Sequence, residues 1–203
     1  GIDGLFGPTE AMLIADKSSN SDYCCADLLA QAEHDILAKP ILITTSEKIG
    51  KEVKEKITNA IPKMARSETA KLSIETQGAI IVLDNLEDAF DLANIFSPEH
   101  LSLMIDSPLS HIDKIKNAGA IFIGEFSHEV LGDYIAGPSH VMPTGGSAKF
   151  NSGLGVHTFL KYSPVLSLDK SLALELGETA SIIAQAEGLY GHFNALKIRK
   201  SKN

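Results

Sequence analysis

The stretch GAIIVLDNLEDAFDLANIFSPEHLSLMID, residues 78–106, decides the fold class. It opens on an unbroken apolar run, GAIIVLD (78–84), short and rich in β-branched residues, as a strand buried on both faces requires. LEDAFDLANIF then carries the spacing of a helix that buries one side. After SPEH, the run LSLMID reads as a second strand. A strand, a helix and another strand in so short a span form a crossover unit, and such units build parallel sheets.

The same alternation extends in both directions. Upstream, AMLIAD (11–16) is a strand, residues 22–37 a helix capped by Ser21 or Asp22, and PILITTS (40–46) a strand. SEKIGKEVKEKITNAI places Ile49, Val53, Ile57 and Ile61 four apart on a surface helix, and SETAKLSIETQ reads as helical too. Downstream, PLSHIDKIKNAG reads as a helix closed by Gly119, followed by a strand AIFIG (120–124). The pattern stops near residue 125. GDYIAGPSHVMPTGGSAKFNSGLG holds six glycines and reads as irregular. SLALELGETASIIAQAEGLYGHFNALKIRK returns to helix, broken around Gly188 and Gly191. The expectation is a mostly parallel α/β sheet domain ending near residue 150, then a small helical tail.

Composition narrows the function classes. The 203 residues are 44% hydrophobic and 22% charged, with a formal charge of −8. Nucleic acid and anionic membrane surfaces both need clustered Lys and Arg, so neither is an expected partner. No apolar run approaches the roughly 20 residues of a membrane span. The start shows no export signal, and the two adjacent cysteines, Cys24 and Cys25, read as buried thiols in a reducing compartment. The expected location is cytoplasmic. GIDGLFGPTEAMLIAD reads as a loop feeding a strand with no element before it, the look of a cut through a larger protein. No GxGxxG follows a strand and no GxxxxGK[ST] occurs.

Several polar residues ask for a chemical reading. Gln31 and His34 in LLAQAEHD lie three apart, so on one helix their heads project within about 60° of each other and could reach one ion. A metal needs four or more ligands, and spacing alone leaves a solvated stripe equally open. SPEH (97–100) sets Glu99 beside His100 at the start of a strand, two groups able to move protons if their environments separate their pKa values. A surface loop pair is the competing reading. Asp133 lies in a glycine-bordered segment, and His140 lies between two prolines. Glu187 and His192 fall near the break in the tail. Taken one at a time, each fits an ordinary surface position as well as a site.

Taken together, GPTE, LLAQAEHD, SPEHL, NAGAIFIG, GDYIAGPSHVMPTGGSAKFNSGL, TFLKYSPV and AEGLYGHFNAL, in this order, resemble the C-terminal half of the histidinol dehydrogenase family. The resemblance runs from about residue 1 to residue 199. It implies an incomplete Rossmann-like domain (1–153) followed by a small helical, dimer-contacting tail (154–203). The implied activity is oxidation of L-histidinol to L-histidine through the aldehyde, with NAD taking two hydrides. The family's zinc ligands fall on Gln31, His34, Asp133 and His192, and its proton-transfer pair on Glu99 and His100. Substrate contacts fall on Thr9, Gln31, His34, His100, Asp133, His140, Glu187 and His192. Thr9 stands where the family more often has Ser, and Ser139 where Asn is common. The chain is about half the family's length. The other half is implied to add strands to the sheet and most NAD contacts, so the fragment is expected to be inactive alone. The family is a homodimer whose tail reaches the neighbouring site, so His192 and Glu187 are implied to act in trans. The rival reading is a non-catalytic imidazole- or metal-binding module.

Overall fold

A computed structural model describes residues 4–201. They form two compact units, one running to Phe159 and the other from Leu160. In the first, five strands alternate with helices: β1 (Glu10–Ala15), α1 (Ser21–Ala32), β2 (Lys39–Thr44), α2 (Glu47–Ala60), α3 (Ser67–Thr76), β3 (Ala79–Val82), α4 (Leu86–Phe96), β4 (His100–Met104), β5 (Ala120–Ile123) and α5 (Glu129–Tyr134). All pairings are parallel, in the order β3-β2-β1-β4-β5. β1 is therefore central, and its period-2 alternation splits the core. Ala11, Leu13 and Ala15 face Leu28 and Leu29 of α1 and Val53 and Ile57 of α2. Met12 and Ile14 face the other way, toward Ala89, Phe90 and Ala93 of α4. Both faces are covered, which is why the strands are apolar throughout.

Three local expectations are corrected. The helix expected over 22–37 spans Ser21–Ala32, and its cap is Asn20, whose side chain accepts from the Asp22 N–H. It ends early because Asp35 turns the chain: its carboxylate accepts the Leu37 N–H at 2.8 Å and its carbonyl the Ala38 N–H. That turn delivers Lys39 to β2. The segment after Ser107 is a 3-10 helix, Pro108–Lys114, rather than an α-helix. Asn94 of α4 takes the Lys114 carbonyl and the Lys116 and Asn117 N–H groups, drawing the chain out of a helical course. The glycine-rich segment read as irregular opens inside α5, which runs from Glu129 to Tyr134.

The second unit holds α6 (Lys170–Ala186), capped by Asp169, and α7 (Tyr190–Ser201). The break falls at Glu187–Leu189, with Gly188 in the left-handed region (φ 71°), while Gly191 lies inside α7. Lys200 Nζ pairs with Glu178 at 2.7 Å across the two helices. Among the described residues no helix is long and apolar enough to cross a membrane.

Candidate active site

The site forms where the N-terminal ends of β1 and β4 meet α1 and α5. α4 ends on Ser97, a buried non-glycine residue in the left-handed region (φ 59°), and Pro98 follows, so the chain turns sharply into β4. Glu99 and His100 then enter the sheet beside β1, both buried, at 7% and 3% exposure. Gly119 was expected to close a helix. It instead lies against the Glu99 backbone, where an added Cβ would meet the Glu99 carbonyl oxygen at 2.6 Å.

One residue of β1 orients both groups through its backbone. The Glu10 N–H donates to Glu99 Oε2 at 3.1 Å, and the Glu10 carbonyl lies 3.0 Å from His100 Nδ1. A carbonyl only accepts, so Nδ1 carries a proton and Nε2 is the nitrogen left for chemistry. Nε2 lies 3.3 Å from Asp133 Oδ1, and Phe122 of β5 stacks on the His100 ring at 5.9 Å between centroids. Burial pushes the His100 imidazolium down, but the Asp133 bond, the Glu129 and Glu99 carboxylates and the Glu10 carbonyl outweigh it and hold it at about 9. Burial pushes the Glu99 carboxyl up, against the pull of His100, Thr9 and the Glu10 N–H.

Thr9 joins this pair to α1. Its hydroxyl donates to Glu99 Oε2 at 2.7 Å. With that proton spent, the Thr9 oxygen has to accept from Gln31, which turns the amide NH2 toward Thr9, also at 2.7 Å. The Gln31 amide oxygen is then left without a hydrogen bond from the described residues, although the side chain is only 1% exposed.

The first unit thus brings Thr9, Gln31, Glu99, His100 and Asp133 into one network. His34 does not share a helical face with Gln31. It lies two residues beyond the end of α1, exposed, with its N–H bonded to the Gln31 carbonyl at 3.2 Å. His140 is exposed on the loop after α5. Glu187 and His192 belong to the second unit, where both line a hollow of about 470 Å³ at the α6–α7 turn. Among the described residues no three His, Cys, Asp or Glu side chains stand together to hold a metal. The donors nevertheless suit one. An amide oxygen with no partner and a partly exposed carboxylate are hard oxygen ligands, and an exposed imidazole adds a nitrogen.

The family model described as histidinol dehydrogenase matches residues 1–200. The chain belongs to the histidinol dehydrogenase family. It is 46% identical over 198 residues to histidinol dehydrogenase of Lactococcus lactis, covering 98% of this chain and 46% of that protein. Against the Thermus thermophilus histidinol dehydrogenase it is 46% identical over 200 residues, 98% of this chain and 48% of that one. A crystal structure of histidinol dehydrogenase from Elizabethkingia anophelis superposes with a TM-score of 0.91 at 35% identity, over 97% of this chain and 45% of that one. The chain spans about half the length of the relatives it matches.

Besides Glu10, two buried acids escaped the sequence reading. Glu129 opens α5 four residues before Asp133, is 3% exposed, and its Oε2 has no hydrogen-bond partner. Asp27 lies four residues before Gln31 on the buried face of α1, and its Oδ2 is equally unpartnered. Burial pushes Glu129 up to about 8, opposed by His100 and reinforced by Asp27, Asp133 and Glu99. Burial pushes Asp27 up to about 6, with His128 opposing. The signal that could have found Asp27 is its i, i+4 spacing to Gln31; Glu129 left no signal, because its helix was not expected.

Proposed function

We propose that this chain carries the substrate- and metal-handling half of a cytoplasmic histidinol dehydrogenase, which oxidises L-histidinol to L-histidine by way of the aldehyde. The observation that carries the reading is the buried Thr9–Glu99–His100–Asp133 network, two proton-transfer groups oriented separately by one backbone residue. In the first oxidation His100 acts in the form protonated at Nδ1 alone, which gains as pH rises toward about 9, and takes the hydroxyl proton at Nε2 while Nδ1 stays anchored to the Glu10 carbonyl. NAD, when bound, would supply the hydride acceptor for both oxidations, alcohol to aldehyde and hydrate to carboxylate. In the second, Glu99 takes a proton from water as the water adds to the aldehyde carbon, forming that hydrate. Thr9 and the Glu10 N–H both bond Oε2 of Glu99, which leaves Oε1 as the oxygen for that water.

Gln31, His34 and Asp133, with His192 of the tail, would hold zinc through amide, imidazole and carboxylate donors. Zinc bound there supplies a Lewis-acidic anchor for the substrate's nitrogens. Thr9, His140 and Glu187 are the remaining substrate contacts. The tail (154–203) serves the neighbouring subunit of a homodimer, and most NAD contacts lie in the half of the family's length that this chain does not span.

The test joins this chain to the N-terminal half of the Thermus relative and measures NADH formation from L-histidinol and from the aldehyde. The expected result is turnover by the joined protein and none by the 203-residue chain. His100→Asn should depress alcohol oxidation, and Glu99→Gln mainly aldehyde oxidation, each by roughly 10²–10⁴-fold. Equal losses on both substrates for both variants would refute the division of labour.

A further inference from the structure

The contact between His100 and Asp133 joins two elements far apart in sequence, and something must set its length. α5 approaches the sheet at Gly132. A Cβ built there would meet Phe122 Cε1 at 2.6 Å and Cζ at 3.0 Å, both on the ring edge. Any residue larger than glycine therefore has to stand off by about 0.8 Å to reach ordinary contact. The face of the same ring stacks on His100, 5.9 Å between centroids and tilted by 26°. Phe122 and His100 also share a sheet face. Phe122 pairs with Ser102, two residues along β4 from His100. One ring thus meets the imidazole by its face and, by its edge, the glycine that precedes Asp133.

We infer that Gly132 is a positioning residue, a gap matched to the Phe122 ring edge that lets Asp133 approach His100 Nε2. At 3.3 Å the contact is near the long end of the hydrogen-bond range, so a displacement of this size breaks it. Gly132 is needed here for close approach; its backbone is ordinary helix, and loop flexibility plays no part. Neither residue touches the reacting atoms in this scheme. The catalytic use of the pair rests on the proposed function, but its geometry does not.

The experiment uses the 203-residue chain with ¹⁵N-labelled histidine, and reads the imidazole N–H resonances directly. His100 is assigned as the signal lost in His100→Asn. At pH 6 the unaltered chain carries a proton on each His100 ring nitrogen, and the Nε2 proton, aimed at Asp133, should be protected from exchange. Gly132→Ala should lose this protection while the Nδ1 proton, held by Glu10, keeps its own. Phe122→Leu removes the ring edge and should leave the Asp133 contact intact. Phe122→Leu combined with Gly132→Ala should then retain Nε2 protection as Phe122→Leu does, because the Cβ no longer meets a ring. A purely structural role for Gly132 would not be rescued through one residue and would not separate the two nitrogens. Retained protection in Gly132→Ala, or its absence in the folded double variant, would overturn the inference. Should Gly132→Ala alone fail to fold, a double variant that folds and retains Nε2 protection supports the inference, and a double variant that also fails to fold overturns it. NADH formation is scored separately, so loss of the histidinol reading and loss of this one are distinguishable.

Discussion

Replacing Glu129 with Gln keeps the shape of the side chain and removes its ability to ionise, which isolates one electrostatic quantity. Burial raises this carboxyl from 4.5 to about 8, so the folded protein binds its proton far more tightly than the unfolded chain does. Below about pH 4.5 both states are protonated and the group is neutral in its effect. As pH rises from there toward 8, the unfolded state gains by ionising while the folded state cannot, so stability falls. Each pH unit in that window costs about 1.4 kcal/mol. Between pH 5 and pH 7 the unaltered chain should therefore lose about 3 kcal/mol relative to Glu129→Gln. Asp27, raised to about 6 by burial, adds a slope of the same sign between 3.8 and 6 in both proteins and cancels in the comparison. Urea unfolding of the two proteins at pH 5, 6, 7 and 8 measures the gap. Parallel stability profiles would mean that Glu129 ionises freely in the folded protein, and that its unpartnered oxygen reaches water.

Two further outcomes follow from the same contacts. Thr9→Val leaves the Gln31 amide and one Glu99 oxygen short of a partner and should cost about 2 kcal/mol, lowering the melting temperature by roughly 4–8 °C, while Thr9→Ser stays near the parent; equal melting temperatures for Val and Ser would deny that the hydroxyl joins the two. Cys24 is fully buried, with burial and the nearby Asp27 and Glu125 pushing its thiol up to about 12, so neither it nor the buried Cys25 should react with a thiol reagent at pH 8 until guanidinium unfolds the chain; stoichiometric labelling of the native protein within minutes would contradict this.

The sheet was legible because its signal is local and repeated. Each strand is an apolar run of four to six residues, and each crossover carries helical spacing, so 79–82, 86–96 and 100–104 could be read directly from 78–106. What failed was decided by side chains reaching backbone elsewhere. α1 stops at Ala32 because Asp35 binds the Leu37 N–H. The segment after Ser107 leaves a helical course because Asn94, some 20 residues earlier, takes its backbone groups. α5 hid in a glycine-rich stretch because Gly132 there serves contact with Phe122, a role that looks like a turn signal when read alone.

The site was legible in motif and illegible in geometry, and β1 explains the difference. Its start joins groups that are 22 residues away, through Gln31, and about 90 residues away, through Glu99 and His100. No spacing rule spans such separations, so physical reading of the residues left each one ambiguous until the family pattern assembled them. Glu10 was missed altogether, although its backbone orients both Glu99 and His100 and its buried side chain is held by Lys39 at 2.8 Å. A backbone role leaves little mark on residue identity, since any residue of β1 offers the same N–H and carbonyl. What the identities do record is the surroundings: Thr9 to link Glu99 with Gln31, Gly119 to admit the Glu99 carbonyl, and Gly132 to admit the ring that stacks on His100. The central strand fixes the direction of Glu99 and His100, and these flanking residues set how closely the chain can pack around them.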